Sequence, residues 1–342
     1  WSLMMAVTET REITLSDSPS GKLQTQNFAL STTPLAEPGD GELLIRLLYI
    51  SIDAANRAWM QGRTYRDQVL PGTKMAGGAL GQVVVSNHPG FKAGDLVEGD
   101  MGWCEHVVLP GDAVAKRTQR GPLTHLLSIL GITGKTAYFG MLKIGAPKKG
   151  ETVVVSAAAG AVGSVAGQLA KTHGARVVGI AGSDRKCQWL TDELGFDAAI
   201  NYNKEPVVKA LKQAAPDGVD VFFDNVGGDI FEGVLFRMNM RGRIVCCGAV
   251  SQYDTETPTH GPRGVPGLFV TKRLKIEGFI VSDFADQFAQ AEAELAGFAA
   301  QGHIKVAEDI VEGLENAPQA LVGLLGGENL GKRLVHVADP QG

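Results

Sequence analysis

The stretch Thr152-Val-Val-Val-Ser-Ala-Ala-Ala-Gly-Ala-Val-Gly163, running on through Val165, Ala166, Leu169 and Ala170 to Arg176-Val-Val-Gly-Ile-Ala181, decides the fold. Thr152 to Ser156 reads as a strand buried on both faces, because it has no polar alternation. Small residues make the turn after it, and Val162, Val165, Ala166, Leu169 and Ala170 then recur at helical spacing. Arg176 to Ala181 is a second strand. A strand, a helix and a strand in this order make a right-handed βαβ unit, so the two strands lie parallel.

Working outward, Val219 to Asp224, Arg243 to Cys247 and Lys275 to Val281 read as further strands, which implies a parallel sheet of about six strands between Leu126 and Gln301. Phe284, Phe288, Ala291, Leu295 and Phe298 mark one face of a long helix that Gly302 ends as a cap. The first third is β-rich instead. Glu42 to Tyr49, Gly81 to Val85 and His106 to Leu109 are strand-like runs broken by Pro-Gly and Gly-Asp turns. The tail returns to a strand, a helix and a last strand at Lys332 to Val337. A chain of 342 residues exceeds one ordinary core, so two domains are expected, one for a cofactor and one for a substrate, with a cleft between them.

Composition excludes several classes. Apolar residues make up 44% and charged ones 20%, and a net charge of −5 gives no general attraction for nucleic acid or anionic membranes. The stretch from Trp1 to Thr10 lacks the basic flank and apolar core of a leader, and no apolar run approaches a membrane span, so a cytosolic protein is expected. Cys104, Cys187, Cys246 and Cys247 form no C-x-x-C pair and have no histidine at ligand spacing, so neither a disulfide framework nor a metal site is expected. They read as reduced, mostly buried fillers, with a functional role left open only for Cys104 beside Trp103.

Ala157-Ala-Ala-Gly160-Ala-Val-Gly163 has the spacing A-x-x-G-x-x-G at the point where a strand becomes a helix. Backbone N–H groups of Gly160, Ala161, Val162 and Gly163, together with the positive helix terminus, can face a pyrophosphate there. Small residues also serve close packing of helix on strand, and the complete βαβ unit is what favours the dinucleotide reading. The second strand ends in Gly182-Ser-Asp-Arg-Lys186, near the place where NAD enzymes carry an acidic residue on the ribose hydroxyls. Ser183 suits an N-cap, but Lys186 stands where a capping box has Glu, and a cation opposes the helix dipole. An anion such as the 2′-phosphate of NADP resolves that conflict; the plain alternative is that Arg185 and Lys186 extend into solvent, and Asp184 weighs against the phosphate. Gly134-Lys135-Thr136 ends like a nucleotide-hydrolase loop, but Ile129 occupies the position of its first glycine.

With these residues placed, the chain resembles the zinc-independent medium-chain dehydrogenase/reductases, and among them the group of leukotriene B4 12-hydroxydehydrogenase, prostaglandin reductase and curcumin reductase. The likeness covers nearly the whole length. It is carried by Pro38-Gly-Asp-Gly-Glu42, Leu48-Tyr-Ile-Ser-Ile-Asp53, Thr136-Ala-Tyr-Phe-Gly140, Ala157 to Gly163, Phe223-Asp-Asn-Val-Gly-Gly228, Gly248-Ala-Val-Ser-Gln-Tyr253 and Asn329-Leu-Gly-Lys332. It implies an α/β protein: a GroES-like β-rich catalytic domain of residues 1–125 and 302–342, with a Rossmann doubly wound domain of residues 126–301 inserted. It further implies that Lys186 and Tyr202 hold the 2′-phosphate of NADPH and that Asn225 contacts ribose or backbone. Gly248, Ala249, Val250, Ser251 and Tyr253, with Phe279, Ile280, Val281 and Asn329, then line the nicotinamide end. Tyr202 as an edge-strand aromatic, Asn225 as a turn former and Asn329 as a self-capping loop residue are the structural alternatives.

Zinc members of the superfamily carry Cys and His or Glu ligands near the amino terminus, and neither Tyr49 to Arg57 nor Lys74 to Gly78 offers a Cys or His. One departure from the group is Asp53-Ala-Ala-Asn-Arg57, where Ala55 replaces a tyrosine found beside the substrate; Trp59 or Tyr65 could partly replace that wall. The expected activity is NADPH-dependent reduction of the carbon–carbon double bond of α,β-unsaturated ketones or aldehydes, with Tyr253 as catalytic hydrogen-bond donor and the proton taken from water. A quinone oxidoreductase of the same superfamily and a non-catalytic NADPH-binding protein are the rival readings. The resemblance also implies a homodimer formed by edge pairing of Lys275 to Val281, since members of the family extend their sheets this way; the segment alternates and ends in apolar residues, and an exposed apolar edge otherwise invites aggregation.

Overall fold

The computed structural model describes residues 7–255, 261–262 and 265–341. The start of the Trp1 to Thr10 stretch and part of the segment after Tyr253 therefore lie outside the described residues. The chain forms two compact units, residues 1–127 with 309–328 and 333–342, and residues 128–308 with 329–332.

The first unit is built on antiparallel strands. The hairpin pair β1 (Glu9–Leu15) and β2 (Phe28–Pro34) stands apart from a larger sheet of β3 (Glu42–Ser51), β4 (Gly78–Ser86), β5 (Leu96–Asp100), β6 (His106–Pro110) and β7 (Val114–Arg117). Strand β3 is central because almost all of it is apolar; it pairs with β4 and with β6, and Leu43, Ile45, Leu47 and Ile50 are fully buried. Among the described residues a single short α-helix, α1 (Ala55–Gln61), interrupts these strands. Trp59 on α1 donates its Nε1–H to the Tyr65 hydroxyl at 3.1 Å, and the Arg66 guanidinium lies 4.4 Å over the Trp59 ring. Cys104 is buried in this core, and burial pushes its thiol up to about 11 although the Lys74 ammonium at 3.7 Å works the other way. It is a packing residue rather than a nucleophile.

The second unit opens with α2 (Ile132–Tyr138) and then alternates strand and helix: β8 (Thr152–Val155), α3 (Ala161–Thr172), β9 (Arg176–Ala181), α4 (Asp184–Asp192), β10 (Ala198–Asn201), α5 (Val207–Ala214), β11 (Val219–Asp224), α6 (Gly228–Leu235), β12 (Met238–Cys246), α7 (Val265–Lys272), β13 (Lys275–Gly278) and α8 (Phe288–Ala300). Its six strands, counted among the described residues, are all parallel in the order β10-β9-β8-β11-β12-β13. That is the doubly wound order, which reverses direction between β8 and β11 and opens a crevice beyond the carboxyl ends of those two strands. The tail supplies β14 (Glu308–Glu312), α9 (Ala317–Leu325) and β15 (Lys332–His336), and β15 pairs antiparallel with β3.

Three readings of the sequence are adjusted. The last strand of the parallel sheet stops at Gly278 rather than Val281, because its partner β12 ends at Cys246, opposite Gly278, and no ladder remains. The long apolar helix starts at Phe288; Phe284 sits in a preceding 3-10 segment, yet its ring still stacks on Phe139 with centroids 4.6 Å apart. Gly302 does end that helix region, with φ 71 in the left-handed range. Helix α7, which the residue pattern did not mark, begins at Val265 with Pro266 in its first turn, where the missing N–H costs no helix bond. Among the described residues no helix is long and apolar enough to cross a membrane.

Candidate functional site

Each strand of the parallel sheet delivers candidate residues just beyond its carboxyl end. After β8 comes the glycine loop; after β9, Gly182 to Lys186; after β10, Tyr202; after β11, Asn225; after β12, Gly248 to Tyr253; after β13, Phe279 to Val281. Residues scattered over more than a hundred positions are thus gathered on one edge of one sheet.

The glycine loop turns sharply. Ala157 has φ 45, Ala158 donates to the Ile180 carbonyl at 3.0 Å, and Gly160 donates back to Ala157 at 2.9 Å. A Cβ on Gly163 would lie 2.4 Å from the Ala157 carbonyl oxygen, so only glycine lets α3 start this close to the strand. Asn329 comes to the same loop from far along the chain: its Nδ2 donates to the Gly331 carbonyl at 2.8 Å, and the Gly331 N–H donates to the Ala159 carbonyl at 2.8 Å. The side chain of Asn329 therefore caps its own loop, while the backbone of that loop braces the turn.

A buried network joins this turn to the next strand over. Ser156 Oγ donates to Asp224 Oδ1 at 2.7 Å and accepts the Asn225 N–H at 2.8 Å, and Asn225 Nδ2 donates to the Ser156 carbonyl at 2.8 Å. Asp224 also accepts the N–H groups of Val226 at 3.1 Å and Gly227 at 3.0 Å. Burial pushes the Asp224 carboxyl above its ordinary value, and the hydrogen bonds from Ser156, Val226 and Gly227 work against that rise. Asn225 is thus fixed at the crevice by its side chain. Ser156 and Asp224 were missed by sequence reasoning; the available signal was a hydroxyl and a carboxylate directly after the apolar runs Val153 to Val155 and Val221 to Phe223.

The corner after β9 and β10 is open. Ser183 is the N-cap of α4, its Oγ accepting the Lys186 N–H at 3.3 Å. Tyr202 is 44% exposed and lies across Gly182, where a Cβ would stand 2.9 Å from the tyrosine hydroxyl. Lys186 and Tyr202 therefore belong to two adjacent strand ends, and the backbone there could admit a phosphate with a cation and a phenol beside it.

The turn after β12 is stitched to the one after β11. Val250 and Ser251 donate their N–H groups to Asn225 and Val226 carbonyls, each at 3.1 Å, and Ser251 Oγ donates to Val226 at 2.6 Å. Tyr253 folds back over this turn, so that its hydroxyl oxygen accepts the Ala249 N–H at 3.1 Å and its proton remains for another acceptor. Cys246 and Cys247 stand just before; burial, with Asp224 adding to it, raises their thiols to about 11 and about 12. Phe279 turns its ring inward instead, close enough that a Cβ on Gly140 would meet it at 2.8 Å, and packs edge-on to Phe284. Its backbone, with Ile280 and Val281, is what the strand end presents. Among the described residues no three His, Cys, Asp or Glu side chains are grouped to hold a metal ion.

A doubly wound sheet with a glycine turn at its switch point has the architecture of a dinucleotide-binding domain. Comparison with known proteins narrows this. A family described as the N-terminal domain of oxidoreductase matches residues 11–116, and one described as zinc-binding dehydrogenase matches residues 161–297. The chain is 39% identical to the NADPH-dependent curcumin reductase of Escherichia coli, over 96% of this chain and 97% of that protein. It is 41% identical to prostaglandin reductase 1 of Mus musculus, over 90% of this chain and 93% of that one. The crystal structure of CurA from Vibrio vulnificus in complex with NADPH superposes with a TM-score of 0.92 at 38% identity, over 96% of this chain and all of the other. The chain belongs to the zinc-independent medium-chain dehydrogenase/reductases, in the group of the curcumin, prostaglandin and alkenal reductases.

Proposed function

We propose that this chain uses NADPH to reduce the carbon–carbon double bond of α,β-unsaturated ketones or aldehydes. The observation that carries the reading is the gathering of Gly160 to Gly163, Lys186, Tyr202, Asn225 and Gly248 to Tyr253 on one sheet edge, in a chain 39% identical to a curcumin reductase over nearly its whole length. Gly160, Ala161, Val162 and Gly163 take the pyrophosphate on backbone N–H groups, and the missing Cβ of Gly163 is what leaves the turn tight enough. Lys186 and Tyr202 take the 2′-phosphate. Asn225 sits at the ribose, and Gly248 to Tyr253, Phe279 to Val281 and Asn329 surround the nicotinamide end.

When bound, NADPH supplies the hydride for the β-carbon. The residues of the chain stabilise what that leaves behind. Tyr253 donates its hydroxyl proton as a hydrogen bond toward the carbonyl oxygen, or toward the ribose hydroxyl that contacts it, as enolate charge develops. The Ala249 N–H bound to the same hydroxyl polarises it and makes it a better donor. A proton from water completes the α-carbon, and the carbonyl is retained. The raised thiols of Cys246 and Cys247 keep them protonated, so they do not compete as nucleophiles for an electrophilic enone.

The second unit, with its flanking segments, serves as the cofactor domain and the first as the catalytic domain. Four free cysteines suit a reducing compartment, and we place the enzyme in the cytosol. A homodimer through the β13 edge is supported by its position at the end of the sheet and by Ile276, 45% exposed there. Sedimentation at micromolar concentration gives a dimer on this reading; a monodisperse monomer contradicts it. Loss of NADPH absorbance across a panel of enones, alkenals and quinones tests the activity. Turnover of enones supports it, turnover of quinones alone makes the chain a quinone reductase, and tight NADPH binding with no turnover makes it a binding protein.

A further inference from the structure

Asp184 poses a problem for NADPH, on which this inference rests. It opens α4 two residues before Lys186, in the region where a free carboxylate favours the unphosphorylated ribose and repels a 2′-phosphate. In the structure both carboxylate oxygens are engaged. Asn201 Nδ2 donates to Oδ1 at 2.9 Å, and Lys204 Nζ pairs with Oδ2 at 2.5 Å. The same turn is tied to the Gly182 segment a third time, by Asn203 Nδ2 donating to the Gly182 carbonyl at 2.8 Å, while Asn201 Oδ1 accepts the Asn203 N–H at 3.1 Å. The turn that presents Tyr202 is therefore the turn that occupies Asp184.

We propose that Lys204, with Asn201 holding the geometry, is a specificity-determining residue: it masks Asp184 so that an anionic 2′-phosphate can share the corner with it. An ion pair this exposed, 66% for Lys204 and 65% for Asp184, contributes little to folding. Its consequence is local charge. Paired, Asp184 adds no net negative charge beside Lys186; bare, it offsets the cation that the phosphate needs. Consistently, the hydrogen bonds from Lys204 and then Asn201 hold the carboxyl below its ordinary value, so it is ionised and its charge must be met.

A double-mutant cycle separates masking from direct contact. NADPH and NADH dissociation constants are measured by fluorescence titration at low salt for the wild type, Lys204→Ala, Asp184→Asn and the double variant. Lys204→Ala is expected to weaken NADPH by about three- to tenfold and NADH by less than about twofold, and the double variant to return to within about twofold of wild type. Equal loss of NADPH with and without Asp184 would mean that Lys204 touches the phosphate itself, and no loss in Lys204→Ala would remove masking altogether; either overturns the proposal. The readout is the change in the NADPH to NADH ratio against wild type, so it stands apart from the wild-type preference, whose absence would instead overturn the cofactor reading.

Discussion

The two ends of the candidate cofactor site are built on opposite principles. At the switch point, Ser156 and Asp224 are buried and, with Asn225, form a hydrogen-bonded network that ties the two turns together. At the corner after β9 and β10, Tyr202, Asp184 and Lys204 are exposed and Lys186 is half-buried, and charge rather than burial governs. A buried network specifies a shape and serves every dinucleotide alike. An exposed charge cluster specifies which dinucleotide, and salt can weaken it.

The largest effect is expected from Asp224→Ala. It strands the buried Ser156 hydroxyl, at a cost of about 1–3 kcal/mol, and the part-buried Val226 and Gly227 N–H groups, at a smaller cost each. Urea unfolding should show the loss of stability, and any folded protein should bind NADH and NADPH equally poorly. A variant that kept its stability and lost NADPH alone would erase the distinction between the two ends.

Tyr253→Phe comes next. It keeps the ring and removes the donor, so single-turnover reduction of an enone should fall by roughly ten- to a thousandfold with little change in NADPH affinity. Unchanged turnover removes Tyr253 from the mechanism, and a loss confined to affinity makes it a cofactor contact only. Lys186→Ala should weaken NADPH by about ten- to a hundredfold, the scale of one charge-assisted hydrogen bond at about 1.5–3 kcal/mol, and leave NADH nearly unchanged. Equal losses would contradict the 2′-phosphate role.

The smallest effect, and the sharpest contrast, is in pH. Asp224 has a raised folded value, so the stability it contributes is present at low pH and is lost as pH rises through that value. Asp184 has a lowered one, so its contribution is present above the usual carboxylate range and is lost as pH falls. Asp224→Asn and Asp184→Asn should therefore change the pH slope of urea stability in opposite directions on the acid side, with the exposed Asp184 giving the weaker change. Slopes of the same sign would show that burial does not control Asp224.

Much of this was legible from residue order. Arg176–Ala181 and Val219–Asp224 were read to the residue because strands buried on both faces are predominantly apolar runs bounded by turn residues. The glycine turn and Ser183 cap were legible for the same local reason. What was hidden is non-local. Ser156 meets Asp224 across 68 residues, and Lys204 meets Asp184 only because β9 and β10 are neighbours in the sheet, so no window along the chain contains either pair. Strand β13 was overextended because its stopping point is set by the end of its partner, and α7 was missed because a proline in a first turn looks like a loop.

Product analysis tests the central claim most directly. The chain is incubated with NADPH and one α,β-unsaturated ketone, and the product is identified by NMR and mass. The saturated ketone, with its carbonyl intact and one equivalent of NADPH consumed, is the expected result. An allylic alcohol, or NADPH oxidised only when a quinone replaces the enone, would contradict it.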